Sequence, residues 1–346
     1  VLDLIHRWTD GVLGLVLAVL GLTGAVLIHK EDWIGLPHAS DAKVSDPLAL
    51  ARLTDRLLRH AQPGDSIVYA SDRFGLVHVR SGEGGSYVTQ AGETVARWES
   101  QWERPELWLF DLHHRLFAGE VGEWISGLAG LAAMFFVISG SILWWRTRRT
   151  FRFRLLPKRM TGPGIRMHHR DLGIVFAPLL LLAAATGAMM IFRPVAGLLL
   201  SPFGPASAIE ADLKPPNFEA GGLSAGVDWG SMVVTAHRAF PDAELRILTL
   251  PKERGDPVTI RMRRAAEWLP NGRTMLWFDP ADGKLLATRD GLAMANATKA
   301  FNALYPLHAA KVGGMPYRLA MTAVGLALFL LGVLAVWSFW FRPRRG

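Results

Sequence analysis

Two kinds of hydrophobic patterning alternate along the chain. Four stretches, near 12–28, 124–145, 172–192 and 319–341, are almost continuously apolar. Each approaches or exceeds the roughly 20 residues a helix needs to cross a hydrocarbon layer about 30 Å thick. Between the first and second stretches the pattern changes. "DPLALARLTDRLLRHA" spaces its apolar residues as one helix face behind an Asp-Pro start signal, and "DSIVYAS", "GLVHVRSG" and "SYVTQAGETVARWES" alternate as strands do. The interval between the third and fourth follows the same plan. "DWGSMVVTAHRAF" is helical up to a break at Pro241-Asp242, and "ELRILTLP", "PVTIRMRRA" and "TMLWFDPADGKLLATRD" alternate, the last folding back at Asp282-Gly283. The "GEGG" at 82–85 reads as a strand turn, because no helix follows it as a phosphate-binding loop requires.

The recurrence extends to particular residues. "HRWTDGVLGLVLAVLGLTGA" and "HRDLGIVFAPLLLLAAATGA" each set a His-Arg pair ahead of an apolar run, and His6 to Thr23 spans the same seventeen residues as His169 to Thr186. "DLHHRLFAGEVGEWISGLAG" recurs more weakly as "PLHAAKVGGMPYRLAMTAVG": with His113 set on His308, Gly119 meets Gly314 and Gly130 meets Gly325. Both copies close on aromatic residues and arginines, "WWRTRR" and "FWFRPRR". The chain therefore reads as span, outside module, span, written twice. The predicted fold is a polytopic α-helical membrane protein with four transmembrane helices in two tandem repeats, each carrying a small α+β module. The spans fall at 1–29, 123–146, 171–193 and 318–346 (the last with a tail), the modules at 30–122 and 194–317, and a basic loop at 147–170.

Composition supports this and charge orients it. Half of the 346 residues are hydrophobic and 13 are Trp, as in a membrane protein. The net charge of +8 is a topology signal and not a nucleic-acid footprint, because the arginines and lysines crowd residues 146–170 and the tail "RPRRG", with Arg7 at the other end. Short basic loops stay in the cytoplasm, which places both termini and the 147–170 loop inside and the two modules outside. The first apolar stretch lacks an Ala-x-Ala-like site and is followed by further spans, against a cleaved signal peptide. With no cysteine in the chain, iron–sulfur clusters, thiolate haem and disulfides are excluded, so any redox centre is held by nitrogen, oxygen or Met sulfur.

The His-Arg-Trp opening, the Thr-Gly-Ala of the first span, the Asp-Leu-His before the second, the "WWR" exit and the "FDPADGK" hairpin together resemble the PepSY-associated transmembrane family of iron-regulated bacterial inner-membrane proteins. Within it the chain is most similar to the FoxB-type ferrisiderophore reductases. The resemblance covers essentially the whole chain and implies b-type haem, action on siderophore-bound iron from the periplasm, and location in the inner membrane.

Seven of eleven histidines sit beside a membrane boundary, His6, His168 and His169 inside and His29, His113, His114 and His308 outside; His38, His60, His78 and His237 lie in the modules without ligand spacing. A haem with two axial histidines needs two neutral imidazoles on opposite faces of one macrocycle. A pseudo-twofold axis along the membrane normal, taken with the resemblance, pairs His6 with His169 at the cytoplasmic side and His113 with His308 at the periplasmic side, giving two bis-histidine haems b. His29 and His114 remain alternative outer ligands. Arg7 and Arg170 are candidate partners of the haem propionates, or else anchors of the basic inner face. The glycines 11, 14, 21, 24, 173 and 187 serve close helix packing or leave room for the macrocycle. "RMRRA" at 261–265 reads as a solvated strand face, and the spans show none of the intramembrane ionisable residues that mark transport pathways.

The resulting expectation is an inner-membrane haem reductase. It would take electrons from an unidentified donor, a cytoplasmic reductase or quinol, and reduce a ferric siderophore in a cleft between the modules. The donor is a separate partner, since the chain shows no dinucleotide fingerprint. The alternatives are a non-redox siderophore- or peptide-binding membrane protein and a siderophore permease. Membrane lipid is the other partner and nucleic acid is not one.

Overall fold

The structure is a computed structural model in which residues 2–59, 62–224 and 226–340 are described, with side chains described from Val12 onward. The first half of the chain forms α1 (Leu2–Leu27), the short α2 (Lys30–Trp33), α3 (Pro47–Leu57), strands β1 (Ser66–Val68), β2 (Val77–Ser81), β3 (Gly84–Val88) and β4 (Thr94–Trp98), then α4 (Pro105–Arg115) and α5 (Gly119–Thr147). The second half gives α6 (Gly162–Ile191), the short α7 (Arg193–Leu199) and α8 (Ala206–Leu213), and α9 (Trp229–Ala239). Strands β5 (Ala243–Thr249), β6 (Val258–Arg264), β7 (Thr274–Phe278) and β8 (Leu285–Arg289) follow, then α10 (Asn296–His308) and α11 (Gly314–Trp340).

The chain divides into a helical unit, Val1–His29 with Trp108–Ser201 and Leu304–Gly346, and a sheet unit, Lys30–Leu107 with Pro202–Ala303. The module boundaries read from sequence, 122 and 317, fall later than those observed. The C-terminal parts of α4 and α10 belong with the long helices, because they carry His113 and His308 onto α1 and α6.

In the helical unit α5, α6 and α11 are long and apolar enough to cross a membrane, and α1 contributes a shorter apolar stretch, Val12–Leu27. Helix α1 packs chiefly on α11, and α5 on α6. Glycine permits the first of these contacts. A Cβ on Gly21 would stand 2.6 Å from the Gly325 carbonyl oxygen and 2.9 Å from the Phe329 nitrogen, and one on Gly325 would stand 2.6 Å from the Gly21 oxygen. Backbone cannot yield as a flexible side chain can, so these positions set how closely the helices approach. On the other helix pair a Cβ on Gly130 would meet Ala184 and Ala188 at 3.4 Å, an ordinary contact.

The sheet unit has one eight-stranded antiparallel sheet, in the order β4-β3-β2-β1-β5-β6-β7-β8. Its seam is the pairing of β1 with β5, in which Ile67 faces Leu248. Both are fully buried, as are Ile260, Leu276 and Phe278, and one core joins them to Ala51 and Leu53 of α3 and to Met232 and Val233 of α9. Asp46 starts α3 by accepting from the Ala49 backbone nitrogen at 3.0 Å, and Asp228 does the same for α9 through Ser231 at 2.8 Å. The two expected modules thus share a sheet and a core. The open cleft expected between them is closed at this seam by the β1–β5 pairing. A cavity of about 210 Å³ beside it is lined by Leu50, Tyr69, Val233, Leu245 and Met262 among others, smaller than the roughly 300–1,000 Å³ of pockets for drug-sized ligands.

Replacing Gly21 with Val is expected to destabilise the helical unit by about 1–3 kcal/mol, the usual range for overpacking. Gly222→Ala, where nothing lies within 4 Å, should leave stability unchanged. Thermal unfolding of the detergent-solubilised protein checks both.

Candidate cofactor site

Helices α4 and α10 each carry a histidine in the last turn, His113 and His308, and each reaches sideways onto a long helix of its own half of the chain. His113 Nδ1 lies 2.9 Å from Thr23 Oγ1 on α1, and the ring also bonds the Leu20 backbone. His308 Nδ1 lies 3.2 Å from Thr186 Oγ1 and 3.0 Å from the Ala183 carbonyl oxygen on α6. The neighbouring glycines make room: a Cβ on Gly24 would sit 3.0 Å from His113 Cε1, and one on Gly187 3.1 Å from His308 Cε1. The two rings come together with centroids 6.1 Å apart and planes at 47°. Burial holds His113 down to about 3, helped by the nearby His308 and His114, and burial lowers His308 as well. Both imidazoles are therefore neutral at physiological pH, the form that ligates metal.

The spacing of the pair can be compared with that of two imidazoles sharing one metal ion. With metal–nitrogen bonds of about 2.0–2.1 Å and each ring centre roughly 1.1 Å behind its nitrogen, two axial imidazoles place their centroids about 6.3 Å apart. The observed 6.1 Å is compatible with that separation. A haem, which brings four nitrogens of its own, would need two further ligands, and His113 and His308 could supply them.

The alternative outer histidines are placed elsewhere. His29 Nε2 bonds Thr322 Oγ1 at 2.8 Å, and its Nδ1 accepts from Arg318 at 3.2 Å, so both ring nitrogens are engaged. His114 stacks on Phe110 and lies 3.9 Å from Glu123, which also meets Arg115.

The family model for the PepSY-associated TM region matches residues 4–342. The chain belongs to this family. No curated protein matches it.

At the other end of this PepSY-associated TM protein, His6 and Arg7 fall on α1 with side chains outside the described residues. His169, on α6, bonds the Leu331 backbone of α11. Its neighbour His168 is buried and bonds the Leu155 carbonyl oxygen at 3.0 Å. Arg170 is committed to the basic loop: it donates to Asp171 at 2.7 Å and to Thr150 Oγ1 at 2.9 Å, while Asp171, 2% exposed, also accepts from the Arg152 backbone at 3.0 Å. His168, Arg170 and Asp171 together pin residues 150–155 to the start of α6.

The module histidines are structural in their contacts. His38 pairs with Asp41 at 2.8 Å; His78 lies among Tyr87 and Trp98 and is lowered to about 3, chiefly by burial; His237 lines the seam cavity; His60 lies outside the described residues. "RMRRA" is tied into the sheet, with Arg264 bridging Asp242 and Asp290, both at 2.8 Å.

Sequence reasoning missed four side chains. Thr23 and Thr186 were visible as a repeated motif, but their partners lie 90 and 122 residues away. Arg318 and Thr322 carry no motif that marks them: the first stands at the edge of the predicted fourth span and the second within its apolar run. In the structure α11 begins at Gly314 and buries Arg318, so this ionisable residue lies inside the helix and not at the edge where the predicted span begins.

Substituting Asp171 with Asn should free the loop. A hydrogen bond to a charged group contributes about 1.5–3 kcal/mol, so cleavage through the transiently open loop is expected to accelerate about tenfold or more. Limited trypsinolysis at Arg152 and Arg154 reads this directly.

Proposed function

We propose that this chain is a four-span haem b reductase of the bacterial inner membrane that passes electrons to siderophore-bound iron(III) on the periplasmic side. The observation that carries the reading is the convergence of two buried, neutral imidazoles, His113 and His308, at the spacing of axial ligands. The sequence repeat supports the second half of it: the seventeen residues separating His6 from Thr23 also separate His169 from Thr186, so a second pair, His6 with His169, would stand about 25 Å further along the helices at 1.5 Å per residue. Haem b at these positions would supply reversible one-electron transfer.

The protein's own contribution is to hold the imidazoles, keep them uncharged and shield them from water. The substrate, iron(III) in a siderophore, is bound by hard oxygen donors. One electron added to it gives iron(II), which those donors hold less tightly, and the chelator leaves intact. The electron comes from a cytoplasmic reductase or from quinol. The seam cavity of about 210 Å³ is too small for a ferric siderophore on the scale of ligand pockets, so the substrate meets the protein outside it. Membership of the PepSY-associated TM family is consistent with an inner-membrane protein whose termini and basic loop face the cytoplasm.

A dithionite-reduced minus oxidised absorption spectrum of the purified protein, expressed with adequate haem, is expected to show b-type bands. His113→Ala and His308→Ala should each remove the same haem and leave the other. Absence of haem from the wild type, or loss of different haems in the two variants, would overturn the reading.

A further inference from the structure

The Thr-Gly steps on α1 and α6 have no need of each other for packing. Other glycines of the helical unit face helix backbone: Gly21 meets Gly325 and Phe329, and Gly14 meets Gly332. Gly24 and Gly187 instead face a histidine ring, each through the Cε1 atom that separates the two ring nitrogens. The threonine beside each turns its hydroxyl back onto its own helix, toward Val19 and Leu20 for Thr23 and toward Leu182 and Ala183 for Thr186. Thr23 donates its hydroxyl proton to the Val19 carbonyl oxygen at 2.7 Å, and Thr186 donates to Leu182, also at 2.7 Å. A hydroxyl carries one proton, so toward the histidine each threonine oxygen is an acceptor.

That settles the imidazole tautomer. His308 Nδ1 faces a carbonyl oxygen and a hydroxyl oxygen that both accept, so Nδ1 carries the proton and Nε2 carries the lone pair. His113 Nδ1 likewise meets the Thr23 hydroxyl oxygen, and its ring bonds the Leu20 backbone. A ligand histidine that donates its second ring nitrogen to an oxygen acceptor is oriented and made more basic by it.

From this geometry we infer that Thr23–Gly24 and Thr186–Gly187 are positioning residues for the two axial imidazoles. Each threonine fixes the Nδ1–H tautomer and the rotation of one ring, and each glycine leaves the space in which that ring lies. The inference rests on the haem reading above but concerns different residues. The two acceptors on consecutive turns of one helix hold the ring plane between them. Removing the hydroxyl leaves the carbonyl alone, the ring rotates toward it, and the angle between the two imidazole planes changes. The weaker donation from Nδ1 also makes the imidazole a poorer donor to iron(III), which raises the reduction potential.

The test uses the full-length protein purified with haem, in the variants Thr23→Val, Thr186→Val, Thr23→Ser, Thr186→Ser and Gly24→Val. Low-temperature electron paramagnetic resonance reads the relative orientation of the axial planes, and a potentiometric titration reads the midpoint of the same haem. Each Val variant is expected to shift the low-spin g values, raise the midpoint and loosen haem retention, by about 10- to 100-fold if it behaves as other outer-shell partners do. Each Ser variant is expected to keep the wild-type signal, and Gly24→Val to lose this haem. Should a Val variant prove too unstable to purify, the Ser variant decides, since it preserves the acceptor: a wild-type g tensor supports the inference and a shifted one overturns it. Wild-type g values and midpoint in both Val variants would also overturn it, while leaving the haem reading intact. A wild type without haem would instead defeat the haem reading.

Discussion

Two imidazoles cannot be brought to 6.1 Å inside an apolar helical unit unless each is given an acceptor for its ring proton, and the helical unit is organised around meeting that requirement. A buried, unsatisfied ring nitrogen costs about 1–3 kcal/mol. Here the Thr23 and Thr186 hydroxyl oxygens stand against the two Nδ1 atoms, while their own hydroxyls bond back one turn. The glycine after each threonine lets the ring lie against the helix. The histidines arrive on α4 and α10, helices too short to be spans, which explains why the last residues of both belong with the long helices.

The sheet unit answers a separate constraint. A four-stranded meander with one helix leaves an edge strand open, and an open edge invites pairing with any other chain. Pairing β1 with β5 removes the inner edge of both halves at once, and the apolar face that results is continuous from Val88 to Phe278 under α3 and α9. Arginines of β6 are held by local acceptors: Arg261 bonds Gly272, and Arg264 bridges two aspartates. This ties the basic strand "RMRRA" into the fold, so the run that looked like a solvated face serves the sheet.

Much of this was legible in the sequence because it is periodic. Helical and alternating patterns gave the long helices and the order of the strands, and residue-level recurrence placed His113 and His308 as equivalents. What the sequence could not show is contact without local signal. The β1–β5 pairing joins residues about 180 positions apart, and nothing in "SIV" or "AELRILT" says which edge it will meet. The Thr-Gly-Ala motif was read as evidence of repetition, and only the geometry turns it into a pair of docks for rings. His29 is an alternative outer ligand in the sequence, and only the structure shows Arg318 and Thr322 against its two nitrogens. Arg170 looked available to a propionate until Asp171 and Thr150 were found against it.

The account stands on His113 and His308 acting as the two axial ligands of one haem. Near-infrared magnetic circular dichroism of the oxidised protein addresses that ligation most directly, because the charge-transfer band of a low-spin haem differs for nitrogen–nitrogen and nitrogen–thioether pairs. The account predicts a bis-imidazole band that His308→Met converts to the histidine–methionine position. A wild-type spectrum that is high-spin, or already histidine–methionine, would contradict it.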